Sequence, residues 1–152
     1  MLPQAEPADD VVLPQAAPAD DVVLVVCPEL SDGALNELFG ASWPDHEQRS
    51  FRPVLEHSLA WIGAFRPGRS GSDGLVGFVN VAGDGGVHAF VLDPTVHPDE
   101  RRRGLGLRLV GAAADAARSR GATWLHVDFE SDLADFYARC GFQPTAAGLM
   151  RL

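Results

Sequence analysis

Three consecutive arginines lead into a glycine-rich turn in the second half of the chain, over residues 101–106 (RRRGLG). Glycine lets the backbone approach a ligand closely, because it carries no Cβ. A helix that begins at such a turn leaves its first N–H groups unpaired, and these groups carry a partial positive charge. Arginine adds charged hydrogen-bond donors at the same place. These residue types at this spacing therefore predict a binding site for a phosphate or pyrophosphate group.

The turn matches neither of two common nucleotide-binding motifs. A P-loop needs a lysine after its last glycine, and the chain contains no lysine. A dinucleotide-binding GxGxxG fingerprint needs a third glycine where this chain has Leu109. The pattern alone also fits an ordinary helix start with solvated arginines, so the neighbouring elements must decide between the two interpretations.

The charge of the chain is unevenly distributed. The net charge is −9, with ten acidic and no basic residues in 1–48, and eleven acidic residues and twelve arginines in 49–152. A binding site for duplex nucleic acid needs an extended basic surface, so we expect no nucleic-acid partner. The apolar stretches are short, which predicts no membrane span or signal peptide and a cytoplasmic location. Cys27 and Cys140 match no metal or disulfide spacing.

The chain opens with a duplicated segment. Residues 2–12 recur as residues 13–23, with identity at ten of eleven positions. Two copies of eleven residues are too few and too short for a repeat architecture. Prolines and low hydrophobicity predict that residues 1–20 are a disordered tail. Residues 21–152 are then expected to form a single domain.

Apolar periodicity and turn residues predict the element order β α α β β β α β α β. Strands are expected at about 21–27, 58–65, 75–82, 87–96 and 124–129, and again after Phe142. Helices are expected from Ser31 to about Gly40, at about 45–57 and 103–120, and after Ser131 or Asp132. This order predicts an α/β (α+β) domain with one sheet and helices on both faces.

Two of these elements bear on the arginine turn. The strand before it contains Asp93, Pro94 and Thr95, and a proline inside a strand marks a bulge or a sheet edge. A bulge there would separate this strand from its neighbour. The last helix carries Tyr137, the only tyrosine of the chain, at a spacing that by itself is typical of a core residue.

Together these segments resemble the GNAT N-acetyltransferase superfamily. The turn at 101–106 is similar to the family's Q/R-x-x-G-x-G/A loop, and Val96-His97-Pro98 resembles the end of its fourth strand. Phe136 and Tyr137, followed by Cys140-Gly141-Phe142, resemble the motif of its last helix. The resemblance covers about residues 21–152. It implies a mixed, mostly antiparallel central sheet of six to seven strands, in which strands four and five are splayed.

The resemblance implies acetyl-CoA as cosubstrate and no metal. Loop N–H groups would hold the pyrophosphate, and the pantetheine arm would lie between the strands that end at Val96 and begin at Trp124. Glu130 stands where family members often have an asparagine. The residues expected to bind the cofactor are Thr95, Val96, Arg101, Arg102, Arg103, Gly104, Leu105 and Gly106.

The resemblance also implies direct attack of a primary amine on a thioester. An amine with a pKa of about 10.4 is almost fully protonated at pH 7, so a base is required. A neutral phenol can protonate the departing thiolate, and Tyr137 is the expected general acid. Phe90 occupies the position where the family often has a glutamate. The base is therefore sought on the splayed strands, with Asp93 and Asp128 preferred to His88 and His126.

Acceptor recognition in the family falls largely to the first two helices and their loop. The corresponding residues are Trp43, Asp45 and His46, with Trp61 and His88 on strands. Aromatic faces and carboxylates suit a cationic amine. The sequence thus predicts an N-acetyltransferase for a small cationic amine. A protein N-terminal or lysine acetyltransferase and a non-catalytic acyl-CoA-binding regulatory module are the alternatives, and a homodimer is suggested by analogy.

Overall fold

A computed structural model of the chain describes residues 21–70 and 72–152. Five strands form one sheet in chain order, antiparallel except that β5 runs parallel to β4. The predicted tail, residues 1–20, lies outside the described residues. The strands are β1 (Val23–Val26), β2 (Ala60–Phe65), β3 (Leu75–Gly83), β4 (His88–Val96) and β5 (Trp124–His126).

The described residues form four α-helices, of which the first three lie between strands and the last follows β5. Ser31 caps the first through its Oγ, which accepts the Ala34 N–H at 3.1 Å, as the sequence predicts. No described helix has both the length and the apolar character needed to cross a membrane. The helices are α1 (Asp32–Ser42), α2 (Arg52–His57), α3 (Leu105–Ser119) and α4 (Ala134–Arg139).

The helices cover both faces of the sheet, because side chains alternate along β3 from Phe78 onward. Val79 and Val81 pack with α3 on one face, whereas Phe78 packs with α1 on the other. Leu109 of α3 is fully buried against the first face. The predicted arrangement of helices on both faces is confirmed.

β4 and β5 separate after a short paired stretch. They pair at three positions only, the last being Phe90 with His126. Three residues further along β4, Asp93 and Pro94 together oppose Val79 of β3, because Phe78 pairs with Thr95 and Asn80 with Leu92. The bulge and the splaying that the proline predicts are both present. Residues 91–96 of β4 are left without partners on β5.

The sheet has five described strands, not the six to seven expected. β5 ends at His126 rather than near 129, and no strand follows Phe142 among the described residues. Pro144 and Gly148 disfavour a strand there, and Leu149 and Met150 are exposed with nothing to pack against. α1 also runs past Gly40, and the second helix starts only at Arg52, after an irregular loop.

Leu109 and Leu107, two residues apart on α3, provide a matched test of this packing. Leu109 is 0% exposed and Leu107 is 44% exposed. We expect Leu109→Ala to lower the free energy of unfolding by about 2–5 kcal/mol, because it leaves a cavity beneath the sheet. Leu107→Ala should cost less than about 0.5 kcal/mol. Urea denaturation measures both, and equal losses would contradict the placement of α3.

Candidate active site

The arginine turn forms a concave array of backbone donors at the start of α3. Arg102 and Gly104 both have positive φ, 63° and 78°, and no side chain caps the helix. Among the described residues, the N–H groups of Gly104, Leu105 and Gly106 donate to no acceptor. Neighbouring N–H groups in such a turn form an anion-binding concavity. The residues present therefore fit a pyrophosphate group.

The three arginines of the turn have different surroundings. Arg101 donates to the carbonyl oxygens of Val96 and Ser42, at 3.3 Å each, so it joins the turn to the ends of β4 and α1. Arg103 lies 3.5 Å from the carboxylate of Glu100. Arg102 is exposed, and its guanidinium bonds to none of the described residues.

A buried ion pair supports the turn from below. Glu100 is 3% exposed, and its two carboxylate oxygens accept from Nε and Nη2 of Arg66, the latter at 2.7 Å. The hydrogen bonds from Arg66 lower the pKa of Glu100, so this carboxylate stays ionised. Neither residue is predictable as part of the site, since a glutamate and an arginine 34 positions apart show no motif.

His97 holds the short segment between β4 and the turn. Its Nδ1 accepts the Asp99 N–H at 3.2 Å, and Nη2 of Arg69 lies 3.1 Å from its Nε2. Burial, and then the positive charge of Arg69, lower the pKa of His97. The neutral imidazole is therefore the form that the fold favours.

α4 packs against the start of α3 and against the segment that follows β5. Phe136 lies over Gly106, and a Cβ at position 106 would stand 3.3 Å from its ring. Close packing against Phe136 is therefore a second reason for a glycine at this position. Tyr137 stacks on Phe129 after β5, with ring centroids 4.6 Å apart. Tyr137 is 3% exposed, and burial raises the pKa of its phenol. The hydroxyl thus stays protonated at neutral pH, as a proton donor must.

A cavity of about 450 Å³ lies beside the β4 bulge. It brings together three predicted acceptor residues and one predicted catalytic residue, Trp43, Asp45, His46 and Asp93. The indole Nε1 of Trp43 donates to Oγ1 of Thr95 at 3.2 Å, which ties the α1–α2 loop to the bulge. The other residues that line the cavity are Phe39, Glu47, Gln48 and Arg49.

The remaining predicted residues lie elsewhere. Trp61 lines a different cavity, of about 310 Å³, and donates to the Pro28 carbonyl oxygen. His88 lies at the paired end of β4, where its Nδ1 is 2.8 Å from Nε2 of His126. Asp128 is exposed just beyond β5. The structure thus separates Trp61 and His88 from the α1–α2 loop.

Two side chains that the sequence analysis did not single out as site residues hold this loop. Asn36 bonds to both the N–H and the carbonyl oxygen of Arg49, at 3.0 and 2.8 Å. Asp32, the first residue of α1, accepts the Phe51 N–H at 2.8 Å. Both belong to α1, and only tertiary structure brings them to a loop more than ten residues away.

The described residues contain no group of three or more His, Cys, Asp or Glu side chains that could hold a metal ion. Cys27 and Cys140 are both free thiols.

The lowered pKa of His97 predicts a pH dependence of stability. The unfolded chain binds a proton more readily than the folded one, so stability is complete above about pH 6.5 and falls as pH decreases through the lower, folded-state pKa. His97→Asn keeps an acceptor for the Asp99 N–H but cannot titrate. Between pH 7 and 5 the variant should lose less free energy of unfolding than the wild type. Parallel losses in urea titrations would contradict this assignment.

Solved structures of acetyltransferases share this fold. An acetyltransferase of Trypanosoma brucei superimposes with a TM-score of 0.70 at 22% identity, over 87% of this chain and 99% of that one. The structure of AAC(6')-Iy in complex with a bisubstrate analogue, CoA-S-monomethyl-acetylneamine, gives 0.66 at 17% identity, over 86% and 97%.

The sequence also has curated relatives. Serotonin N-acetyltransferase 2, chloroplastic, of Oryza sativa subsp. japonica is 31% identical over 115 residues, which are 74% of this chain. The aligned part spans 56% of the length of the rice protein. The model of the acetyltransferase (GNAT) family matches residues 32–142, which include α1, the arginine turn and α4. The chain belongs to the acetyltransferase (GNAT) family.

Proposed function

We propose that this protein is an acetyl-CoA-dependent N-acetyltransferase that acetylates the primary amine of a small cationic molecule. The cavity beside the β4 bulge carries the proposal: three carboxylates and one guanidinium line it, with the indole of Trp43. A volume of about 450 Å³ suits a small molecule. The excess of negative charge and the aromatic face favour an ammonium group. The rice relative is likewise named for an amine.

The arginine turn and the open edge of β4 are the proposed cofactor site. When bound, acetyl-CoA would supply the acetyl thioester. The free N–H groups of residues 104–106 and the exposed Arg102 would hold the pyrophosphate. The unpaired β4 edge at 91–96 offers backbone hydrogen-bonding groups to the pantetheine arm. The side chain of Thr95 is buried and bonded to Trp43, so this residue contributes through its backbone.

Tyr137 is the proposed general acid. Its contacts with Phe129, and those of Phe136 with Gly106, support a position in the gap between the two splayed strands. The raised pKa keeps a proton on the hydroxyl for the departing sulfur.

Asp93 is the proposed binding group for the acceptor's ammonium. Its backbone has a φ of 52°, in the bulge, and the residue lines the cavity. Asp128, the other carboxylate predicted from the sequence, follows β5 on the far side of the gap. A cytoplasmic location and a homodimer also remain predictions.

Thiol release from acetyl-CoA across a panel of amines tests the activity. We expect release with small diamines or aromatic ethylamines, and none with blocked amines. Release only with peptides would favour a protein acetyltransferase. Binding of CoA without any release would favour a regulatory module, consistent with Phe90 at the family's glutamate position.

Tyr137→Phe tests the general acid. The substitution keeps the ring packing and removes only the hydroxyl, so we expect turnover to fall at least tenfold, as for loss of a general acid. The affinity for acetyl-CoA, measured by calorimetry, should stay within about twofold of wild type, since the phenol does not contact the pyrophosphate site. Unchanged turnover would exclude this role.

Asp93→Asn tests the ammonium site. Loss of the carboxylate should raise KM for a dication about tenfold, as expected when an ion pair is removed from a partly enclosed site. An amine that is uncharged at the assay pH should show no such change. An equal effect on both acceptors would indicate a structural role in the bulge.

A further inference from the structure

One amide side chain fixes the geometry of the loop between α1 and α2. Oδ1 of Asn36 accepts the Arg49 N–H at 3.0 Å, and its Nδ2 donates to the Arg49 carbonyl oxygen at 2.8 Å. If the amide were reversed, its NH₂ group would face the Arg49 N–H and its oxygen would face the Arg49 carbonyl oxygen. These two bonds therefore establish which end of the amide carries the oxygen. Oδ1 of Asn36 is therefore available only as an acceptor.

His46 places its Nε2 2.9 Å from that oxygen. Because Oδ1 can only accept, Nε2 must carry the hydrogen, and the neutral ring then has its lone pair on Nδ1. The neighbouring Cδ2 lies over Gly40, 3.9 Å from the position a Cβ would take. The Nδ1 side of the ring is thus turned away from α1, and it has no hydrogen-bond partner among the described residues.

The ring is held in the wall of the acceptor cavity. Phe39 packs against it at a centroid distance of 5.6 Å, and Phe51 stacks nearly parallel to it at 6.3 Å. The elements packed against His46 also bring charged groups to this cavity. Those groups are Asp45, Glu47 and Arg49 from its own loop and Asp93 from β4.

We propose that Nδ1 of His46 accepts the proton of the acceptor's ammonium group and that Asn36 is the positioning residue that sets its tautomer. This inference rests on the proposed function. One proton moves from the ammonium nitrogen to Nδ1, leaving a neutral amine with a free electron pair, and the imidazolium then returns the proton to solvent. Imidazole suits this role better than a carboxylate, because its reference pKa of about 6.5 lies near neutral pH. Asp93 then binds the ammonium group, and His46 deprotonates it.

The tautomer can be observed without any substrate. In a ¹⁵N–¹H correlation spectrum of the histidine rings at pH 8, His46 should show a protonated Nε2 and an unprotonated Nδ1. Asn36→Leu should return the ring to a mixture of both tautomers. A protonated Nδ1 in the wild type would overturn the proposal.

The pH profile of kcat/KM tests the proton transfer. The wild-type profile should fall at acidic pH with the uptake of one proton. In His46→Gln this limb should be absent, and kcat/KM at pH 7 should fall about 100-fold, in the range for loss of a general base. His57→Gln, at an exposed histidine on α2, is the matched control and should behave as the wild type.

Asn36→Asp separates positioning from packing. A carboxylate next to Nε2 favours the protonated ring, so the acidic limb should move to higher pH while activity persists. A uniform loss of activity with an unmoved limb would show that Asn36 only supports the loop, and this would contradict its assigned role.

The controls separate failure of the inference from failure of the proposed function. If the wild type acetylates amines and His46→Gln keeps its rate and its profile, the inference is wrong and the activity stands. If no amine releases thiol from acetyl-CoA with the wild type, the proposed function itself fails. Melting temperatures of all variants exclude loss of the fold as the cause.

Discussion

The bulge at Asp93 and Pro94 is the constraint on which the site depends. Two residues of β4 oppose one of β3, and proline cannot donate a hydrogen bond to a sheet partner. β4 leaves β5 after three residue pairs, so its last six residues keep an open edge. The same bulge gives Asp93 a positive φ at the cavity and places Thr95 where Trp43 can bond to it. The gap between β4 and β5 and the cavity beside the bulge thus arise from one irregularity.

Local features of the chain could be predicted from its sequence because their causes are local. A proline within a strand predicts the bulge, alternation predicts the buried strands, and Ser31 predicts the start of α1. The arginine turn and the long helix after it can be predicted for the same reason, since a glycine in a turn and the start of a helix both depend on neighbouring residues. The positive φ of Gly104 and the free N–H groups agree with that prediction.

Other features depend on contacts between distant residues. The pair of Arg66 and Glu100 joins two loops, and Asn36 reaches Arg49 across an irregular segment, so no spacing reveals either. The sequence predicts that Trp61 lies with the other acceptor residues. Its position on β2 instead places it in the wall of a second cavity. The prediction of a further strand after Phe142 is wrong, because the apolar residues of that segment find no described sheet or helix face to pack against.

Arg101 has a consequence for the relation between the two sites. Its guanidinium joins the carbonyl oxygens of Ser42, at the end of α1, and Val96, at the end of β4. A ligand that shifted the turn enough to break these bonds would thereby change the free energy of the end of α1, where the α1–α2 loop begins. Such coupling is reciprocal by thermodynamic necessity. If a ligand at the turn changes the affinity of the cavity for its own ligand through Arg101, a ligand in the cavity changes the affinity of the turn by the same factor.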